Sequence, residues 1–162
     1  MLFRSRGEQP PLALIAGHQR HGRGQQGRPW CSPLGGVWLS AALPWAQPEG
    51  GLPPASPALA VAVGLALELE AMGLQPRIKW PNDLMIDNRK LAGILVETFS
   101  HGSTHAAVLG VGINVALQPE QLPESEPALR QRIVSLAMLG SRVDRLRVLA
   151  CVLTEQIGRA HV

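Results

Sequence analysis

The chain has 162 residues, of which 46% are hydrophobic; this length and composition fit one domain with a substantial core and exclude a disordered protein. Its formal net charge is +3, mostly from scattered arginines, so nucleic-acid binding is weakly indicated and a phosphate-handling site explains the charge equally well. The two cysteines, Cys31 and Cys151, form no CxxC motif and have no metal-ligand spacing, which excludes a disulfide framework.

No segment predicts membrane insertion or secretion. The longest apolar run, residues 58–67, is far shorter than the roughly 20 residues of a membrane-spanning helix. The first residues, Met-Leu-Phe-Arg-Ser-Arg, lack the apolar stretch of a signal peptide. We therefore expect a cytoplasmic protein in a reducing compartment.

The first half of the chain predicts two strands, a loop and a helix. Residues 12–16 are a short apolar run, and residues 36–43 alternate with apolar side chains on one face. Between them, residues 18–30 are rich in Gly, Arg and Gln without apolar period, which we interpret as a mobile loop. The helix covers residues 58–72 and is apolar on nearly every side, so we expect it to pack on a sheet. The residues expected on one face of the second strand are Val37, Leu39, Ala41 and Leu43.

The helix has clear end signals: Ser56 and Pro57 suit its first turn, and Gly73 suits a left-handed exit. Residues 44–55 before it read as a Pro/Gly loop.

The second half predicts a run of strands and a last helix. Strands are expected near residues 76–80, 84–87, 91–98 and 104–116, with a turn at residues 100–103 and a loop at residues 117–127. Asp144 can cap the last helix. Its expected apolar stripe is Leu146, Leu149, Ala150 and Leu153. This order predicts an α+β fold with a mixed, largely antiparallel sheet and helices packed on one face.

Residues 79–83, Lys-Trp-Pro-Asn-Asp, combine a cation, an indole, a turn and a carboxylate. Pro-Asn-Asp is sound turn chemistry between two short strands. The corner would hold Lys79 and Asp83 at strand ends with little freedom. The indoles of Trp30 and Trp80 lie in polar stretches, where either could stack on a base or close a pocket.

Residues 22–27 match a GxGxxG spacing and also the glycine spacing of a Walker A loop. Both standard interpretations fail, because no helix follows and Arg28-Pro29 stands where Lys-Ser/Thr is required. What remains is a glycine-rich loop whose backbone amides, with Arg23 and Arg28, could close on an anion; a surface loop that binds nothing is the alternative.

Two later strands carry internal glycines. Residues 89–97 begin with two cations and contain Gly93, and residues 110–114 contain Gly110 and Gly112 before Asn114. Glycine inside a strand often marks a close approach of a ligand or another backbone. A pair of such strands can form the floor of a slot for a flat apolar ligand, whereas a plain hairpin with a basic tip is the alternative.

Taken together, these segments resemble the catalytic domain of biotin–protein ligase, the biotin–[acetyl-CoA-carboxylase] ligase. The resemblance covers roughly residues 12–155 and rests on several segments that agree in order. They are residues 22–30, 32–40, 79–83 (KWPND), 89–97 (RKLAGILVE) and 110–115 (GVGINV). It implies a class II synthetase-like fold, with residues 1–156 as a partial catalytic domain.

The resemblance also implies an activity: biotin is activated by ATP to biotinyl-5′-AMP and transferred to a lysine of the biotin carboxyl carrier protein. ATP, Mg²⁺ and biotin would be the small molecules involved. It implies catalytic roles for Arg23, Lys90, Asp83 and Lys79, with Asp83 the candidate magnesium ligand and Lys79 the candidate for an ATP phosphate. The residues implied to bind biotin or its adenylate are Gln19, Gly22, Arg23, Gly24, Gln25, Trp30, Lys90, Gly93, Leu95, Gly112 and Asn114.

The sequence departs from the family pattern at several points. Gln25 stands where many members have arginine, so we hypothesise that the adenylate is retained less well. No Ser/Thr-Ser/Thr-Asn segment precedes residue 12, and no helix-turn-helix domain or C-terminal β-domain is recognisable, so we expect a fragment without nucleic-acid binding and with impaired activity. Exposed sheet edges would favour association, for example as a homodimer. Residues 157–162 resemble a translated sequencing adapter, and we interpret them as non-native.

Three rival interpretations remain open. A lipoate or octanoate–protein ligase shares the fold and the adenylate strategy, although the KWPND and RKLAG segments favour biotin. A homologue that binds biotin without catalysis would explain the missing front segment. A small basic RNA-binding module would predict salt-sensitive, ATP-independent binding.

Overall fold

The computed structural model describes residues 11–44, 56–101, 104–124, 127–141, 146–148, 150 and 152. Its centre is a six-stranded sheet in the order β1-β4-β8-β7-β6-β5, in which all neighbouring strands are antiparallel. The strands of this sheet are β1 (Leu12–Ala16), β4 (Gly36–Pro44), β5 (Arg77–Lys79), β6 (Asp83–Ile86), β7 (Arg89–His101) and β8 (Thr104–Asn114). β2 (Gln19–Arg23) and β3 (Pro29–Ser32) form a separate two-stranded hairpin.

Helix α1 (Ser56–Ala71) ends as its sequence predicts. Gly73 has φ +81°, and its N–H donates to Glu70 O at 2.9 Å while Leu74 N donates to Leu69 O at 3.0 Å. This pair of bonds is the Schellman arrangement, which satisfies carbonyls that the last helical turn leaves without partners. In the described residues, no helix is long and apolar enough to cross a membrane.

One face of the sheet packs in the hydrophobic core, and the other face borders a large cavity. Alternation along β4, β7 and β8 sends every second side chain toward α1, and these side chains are almost fully buried. The main contributors are Val37 and Leu39 from β4, Ala92 and Ile94 from β7, Leu109, Val111 and Ile113 from β8, and Ala62, Leu65 and Leu69 from α1. The opposite face of the same strands carries the glycines and the polar side chains. The predicted α+β plan, with an antiparallel sheet covered by a helix on one face, is confirmed.

The prediction of a loop at residues 18–30 is wrong. The chain there forms the β2–β3 hairpin, with a short 3₁₀ turn, Gln25–Gly27, at its tip. Apolar alternation is missing because most side chains of β2 are exposed, so the strands are specified by backbone pairing rather than by burial. Four strands therefore precede α1, instead of the two that the sequence predicted.

Two further expectations about helices need correction. The loop predicted for residues 117–127 contains a 3₁₀ turn, Pro119–Gln121, and helix α2 (Pro127–Arg132) begins at its end; a second 3₁₀ turn, Ala137–Leu139, follows. The last helix is present in residues 146–148, 150 and 152, but Val148 and Val152 face the core whereas Leu146 and Ala150 are exposed. Leu146 and Ala150 were therefore placed wrongly, because Val148 and Val152 form an equally apolar i, i+4 pair; Leu149 and Leu153 of the expected stripe lie outside the described residues.

Several expectations fall outside the described residues. They concern most of the loop at residues 44–55, the centre of the turn at residues 100–103, the cap at Asp144 and the tail at residues 157–162.

Candidate functional site

A cavity of about 1090 Å³ lies between the β2–β3 hairpin and the open face of the sheet. All of the site residues predicted from the sequence line it, except Lys79. The predicted residues on its wall are Gln19, Gly22, Arg23, Gly24, Gln25, Trp30, Asp83, Lys90, Gly93, Leu95, Gly112 and Asn114. Segments far apart in the chain thus meet in one place, as the motifs predict.

Gly93 and Gly112 form the floor of the cavity beneath the indole of Trp30. The two glycines are paired across β7 and β8. A Cβ added at Gly93 would lie 2.9 Å from Trp30 Cζ3, and one added at Gly112 would lie 2.8 Å from Trp30 Cε2 and Nε1. The indole can therefore lie on the sheet only because both positions lack a side chain. The ring that the two glycines accommodate belongs to the protein itself, and the predicted slot for a flat apolar ligand stays a prediction.

Trp30 also contacts a second tryptophan, Trp38. Its ring meets Trp38 edge-on, with centroids 6.4 Å apart and an interplanar angle of 76°, a favourable aromatic geometry. Trp38 is 2% exposed, and its Nε1 donates to Pro33 O at 2.8 Å. Trp30 Nε1 is buried without a hydrogen-bond partner among the described residues.

Lys90 brings a positive charge to this floor. Its Nζ lies 2.6 Å from Asp83 Oδ1 and 4.7 Å from the centroid of the Trp30 ring, with both side chains of the ion pair largely buried. A carboxylate on one side and an aromatic face on the other hold the ammonium in position. The cation of the RKLAGILVE segment and the carboxylate of the KWPND segment are therefore in direct contact.

A β-bulge in β7 places the Lys90 side chain on the face of the sheet that borders the cavity. Leu84 pairs with Ala92 but Met85 pairs with Lys90, which leaves Leu91 as an extra residue on β7. Strict alternation from Gly93 would place Lys90 on the opposite face. The extra residue returns it to the face of Gly93, and Leu91 and Ala92 are both buried in the core.

The hairpin that roofs the cavity needs a glycine at position 22. A Cβ there would lie 2.4 Å from Trp30 O and 2.7 Å from Ser32 Oγ. Ser32 Oγ donates to Gln19 Oε1 at 2.7 Å, which orients the Gln19 amide toward the cavity wall. Gln19 is one of the predicted site residues, whereas Ser32 lies in the family-like segment of residues 32–40 and has no predicted role.

The tip of the hairpin carries the cations of the glycine-rich segment. Gly24 N donates to Arg28 O at 2.8 Å and Arg28 N donates to Gln25 O at 3.2 Å, which closes the tip into a compact turn. Arg23 and Arg28 are exposed and both line the cavity. Beside the Asp83–Lys90 ion pair, these two arginines give the roof a positive charge, and the resulting field favours an anionic ligand.

Asn114 ends β8 and ties three segments together. Its Nδ2 donates to Lys90 O and to Val134 O, both at 3.2 Å, and the residue is 4% exposed. Val134 N also donates to Lys90 O at 3.0 Å. The backbone of Lys90 is thus anchored by the side-chain amide of Asn114, another residue predicted for the site.

Lys79 stands at the margin of the site rather than in it. It is exposed and pairs with Asp83 across the β5–β6 turn. The turn itself is fastened to β7, because Asn82 Nδ2 donates to Ile94 O at 2.7 Å and Ile94 N donates to Asn82 O at 2.9 Å. Trp80 is 71% exposed and does not line the cavity.

One part of the cavity wall was not predicted at all. Its apolar end is lined by Leu117, Leu122, Leu129 and Ile133, which pack with Trp30 and Trp38 in a second cluster. Leu117 and Leu122 come from the segment predicted as a loop, residues 117–127, whereas Leu129 and Ile133 lie beyond it, where no element was predicted. The only sequence signal was the leucine spacing within residues 117–129, which no strand or helix period explains.

The described residues do not form a metal cage. No group of three or more His, Cys, Asp or Glu side chains converges among them, and Asp83 is engaged by Lys90. A single carboxylate suits a magnesium ion that arrives with nucleotide phosphates, rather than one resident in the protein.

Comparison with known proteins agrees with this geometry. The model of the biotin/lipoate A/B protein ligase family matches residues 2–114, and the chain belongs to that family. The bifunctional ligase/repressor BirA of Escherichia coli is 37% identical over 148 residues, which are 88% of this chain and 44% of that protein. The biotin–[acetyl-CoA-carboxylase] ligase of Paracoccus denitrificans is 36% identical over 114 residues, 66% of this chain and 45% of the relative. The chain thus spans less than half the length of these relatives.

Solved structures show the same fold. A biotin protein ligase from Aquifex aeolicus in complex with biotin and ATP has a TM-score of 0.74 and 30% identity, over 92% of this chain and 60% of that one. The putative lipoate protein ligase Ta0514 from T. acidophilum is 15% identical with a TM-score of 0.61, over 79% of this chain and 54% of that one, and shares the fold alone. The predicted class II synthetase-like fold is confirmed.

Proposed function

We propose that this chain activates biotin with ATP and transfers it to a lysine of the biotin carboxyl carrier protein. The observation that carries the proposal is the placement of Lys90. Its ammonium is fixed by Asp83 and Trp30 on a glycine floor, beneath a roof that carries Arg23. Such a site suits a flat apolar ligand with an anionic end. The similarity to a ligase described with biotin and ATP supports the same assignment.

The first half-reaction joins two anions, so it needs positive charge. An oxygen of the biotin carboxylate attacks the α-phosphorus of ATP, and the bond to pyrophosphate breaks, giving biotinyl-5′-AMP. Lys90 and Arg23 would offset the charge that accumulates between the carboxylate and the phosphate. Magnesium bound to the ATP phosphates would supply further positive charge, with Asp83 as the candidate carboxylate near it.

The remaining residues would bind and enclose the adenylate. The Gln19 amide would hydrogen-bond the ureido group of biotin, with Gly93, Leu95 and Gly112 along the slot. Asn114 Nδ2 donates to two backbone carbonyls, so its oxygen suits the amino group of adenine. Residues 22–28 would cover the mixed anhydride and keep water away from it.

The second half-reaction forms an amide. The neutral amine of the acceptor lysine attacks the acyl carbon of the adenylate, the bond to AMP breaks, and the amine loses a proton. Asp83 is the candidate to orient that amine, and Lys79 the candidate for an ATP phosphate in the first step. Both assignments stay predictions, as does the cytoplasmic location.

The test is biotin- and ATP-dependent labelling of a biotin carboxyl carrier domain, read on a streptavidin blot, with calorimetry of biotin binding beside it. We expect labelling that disappears without ATP. Labelling with lipoate in preference to biotin would favour the rival ligase. Biotin binding without labelling, even at high enzyme concentration, would favour a non-catalytic homologue.

A further inference from the structure

We propose that the β5–β6 turn, with Trp80 at its tip and Arg77 and Lys79 beside it, is the docking surface for an acidic protein domain that presents the acceptor lysine. This inference rests on the proposed function, because that function requires a protein substrate. The three residues lie outside the cavity wall, so the small-molecule site does not account for them.

Trp80 has the character of an interface anchor. Its side chain is 71% exposed, the largest exposed fraction among the large hydrophobic residues described. Exposed tryptophan is unfavourable in water and is enriched among residues that dominate protein–protein binding. Since it neither packs in the core nor lines the cavity, its apolar surface is available to a macromolecule.

The turn presents this indole on a fixed base. Asn82, two residues further on, exchanges two hydrogen bonds with Ile94 of β7, at 2.7 and 2.9 Å. A surface held in place before binding loses little conformational freedom when the partner arrives. The same two bonds attach the turn to the strand that carries Gly93 and Leu95.

The alternation of side chains along β5 places Arg77 and Lys79 on the face of the sheet that bears the cavity, although neither residue lines the cavity itself. Ile78 packs toward the core, so Arg77 and Lys79 on either side of it point the other way. Lys79 pairs with Asp83, and paired residues of antiparallel strands lie roughly 5 Å apart. A domain seated on this turn would therefore border the Asp83–Lys90 pair, where the acyl group is to be transferred.

The positive charge of Arg77 and Lys79 favours a partner with an acidic surface. Among the described residues, neither Arg77 nor Lys79 has a carboxylate within 4.0 Å, and both are exposed. Two unpaired cations beside an apolar ring complement an acidic surface with an apolar patch. The same basic turn of a second copy would be repelled from this surface, which argues for a different protein as its partner.

The experiment separates docking from chemistry. We would measure labelling of the biotin carboxyl carrier domain, biotin-dependent exchange of pyrophosphate into ATP, and biotin transfer to hydroxylamine, a small acceptor that needs no docking. For Trp80→Ala we expect the KM for the carrier domain to rise about tenfold or more, with exchange and hydroxylamine transfer unchanged. For Arg77→Glu we expect a smaller rise that added salt abolishes. Matched controls are Leu34→Ala, an exposed leucine outside the cavity, and Arg147→Glu, an exposed arginine beside core residue Val148.

An unchanged KM in Trp80→Ala, or equal losses with hydroxylamine and with the carrier domain, would overturn the docking surface. Absence of pyrophosphate exchange in the unmodified chain would instead overturn the proposed function. The surface would then be judged by calorimetry with the carrier domain: binding that Trp80→Ala weakens supports it, and no binding or no weakening overturns it.

Discussion

At the scale of single residues, Lys90 is the side chain whose environment is most specialised. Its ammonium is paired with Asp83 and lies over the Trp30 ring, so it is both oriented and partly withdrawn from water. A charge held in this way acts on a developing negative charge without first having to reorganise.

We expect Lys90→Met to lower the rate of adenylate formation about 10²- to 10³-fold, because a positioned charge of this kind typically contributes that much. Biotin-dependent pyrophosphate exchange measures the effect. The matched control is Arg89→Met, which removes the neighbouring cation from β7. Similar losses in both variants would show that general basicity, and not the placement of Lys90, supports the reaction.

Gly93→Ala should disturb the floor of the cavity. The new methyl group would lie 2.9 Å from Trp30 Cζ3 and 3.2 Å from Lys90 Cε, so the indole has to move. We expect a loss of about 1–3 kcal/mol in the free energy of unfolding. Urea denaturation followed by tryptophan fluorescence reports both stability and the indole's surroundings. In Gly110→Ala the nearest atom, Leu95 Cβ, is 3.6 Å away, so this variant should be nearly neutral; equal losses would contradict the argument.

Gln25 lines the cavity at the exposed tip of the hairpin, where an additional cation could reach a phosphate. We expect Gln25→Arg to slow the release of biotinyl-5′-AMP several-fold, as an exposed ion pair of about 1 kcal/mol would. The dissociation rate of purified adenylate from each variant is the measurement. Gln26→Arg, an exposed neighbour outside the cavity wall, is the control, and an unchanged rate in Gln25→Arg removes the hypothesis.

At the scale of elements, the join between β7, β8 and residues 133–136 combines backbone hydrogen bonds with one buried side-chain amide. Asn114 Nδ2 serves the carbonyls of Lys90 and Val134, and Leu136 N donates to Asn114 O at 3.1 Å. Without the amide, Val134 O would lose a donor, whereas Lys90 O would keep the one from Val134 N, and a buried carbonyl that loses its donor costs free energy.

We expect Asn114→Ala to lower the free energy of unfolding by about 1–3 kcal/mol and to speed amide exchange at Val134. Hydrogen exchange read by mass spectrometry would locate the change. Gln121→Ala, which removes two exposed side-chain hydrogen bonds, one to Leu34 O and one from Gln118 N, should affect stability by less than half as much. Unaltered exchange at residues 133–136 would show that packing alone holds this join.

How far the sequence predicts each element depends on what stabilises it. Strands β4, β7 and β8 and helix α1 bury regular apolar patterns, and their predicted positions are confirmed. The β2–β3 hairpin buries little and was mistaken for a loop, although its residues were assigned to the site. The apolar end of the cavity was missed because Leu122 and Ile133 become neighbours only through tertiary packing.

At the scale of the whole molecule, the sheet has an open edge. β1 is paired on one side with β4, and no described strand pairs with its other side. Leu14 and Ile15 are 39% and 49% exposed there, on opposite faces of the strand. An apolar edge of this kind is a template for pairing with another chain.

We therefore expect concentration-dependent self-association that Ile15→Lys reduces at least severalfold, because edge lysines oppose strand pairing. Sedimentation velocity over a range of concentrations measures it. Leu34→Lys is the control, since Leu34 is 62% exposed but lies outside the sheet. Association that is equal in both variants would place the contact elsewhere.

The extra residue in β7 makes the position of the Lys90 ammonium depend on the number of residues between Lys90 and Gly93. Lys90 and Gly93 share a face only because Leu91 is accommodated outside the regular ladder. Removing Leu91 would leave a regular ladder in which Lys90 still lies opposite Met85 on the face of Gly93. One more residue in a regular ladder would also keep the lysine on that face, but it would move the lysine two positions, roughly 7 Å, along the strand. A deletion here therefore leaves the cation beside Asp83, whereas an insertion carries it away from its partners.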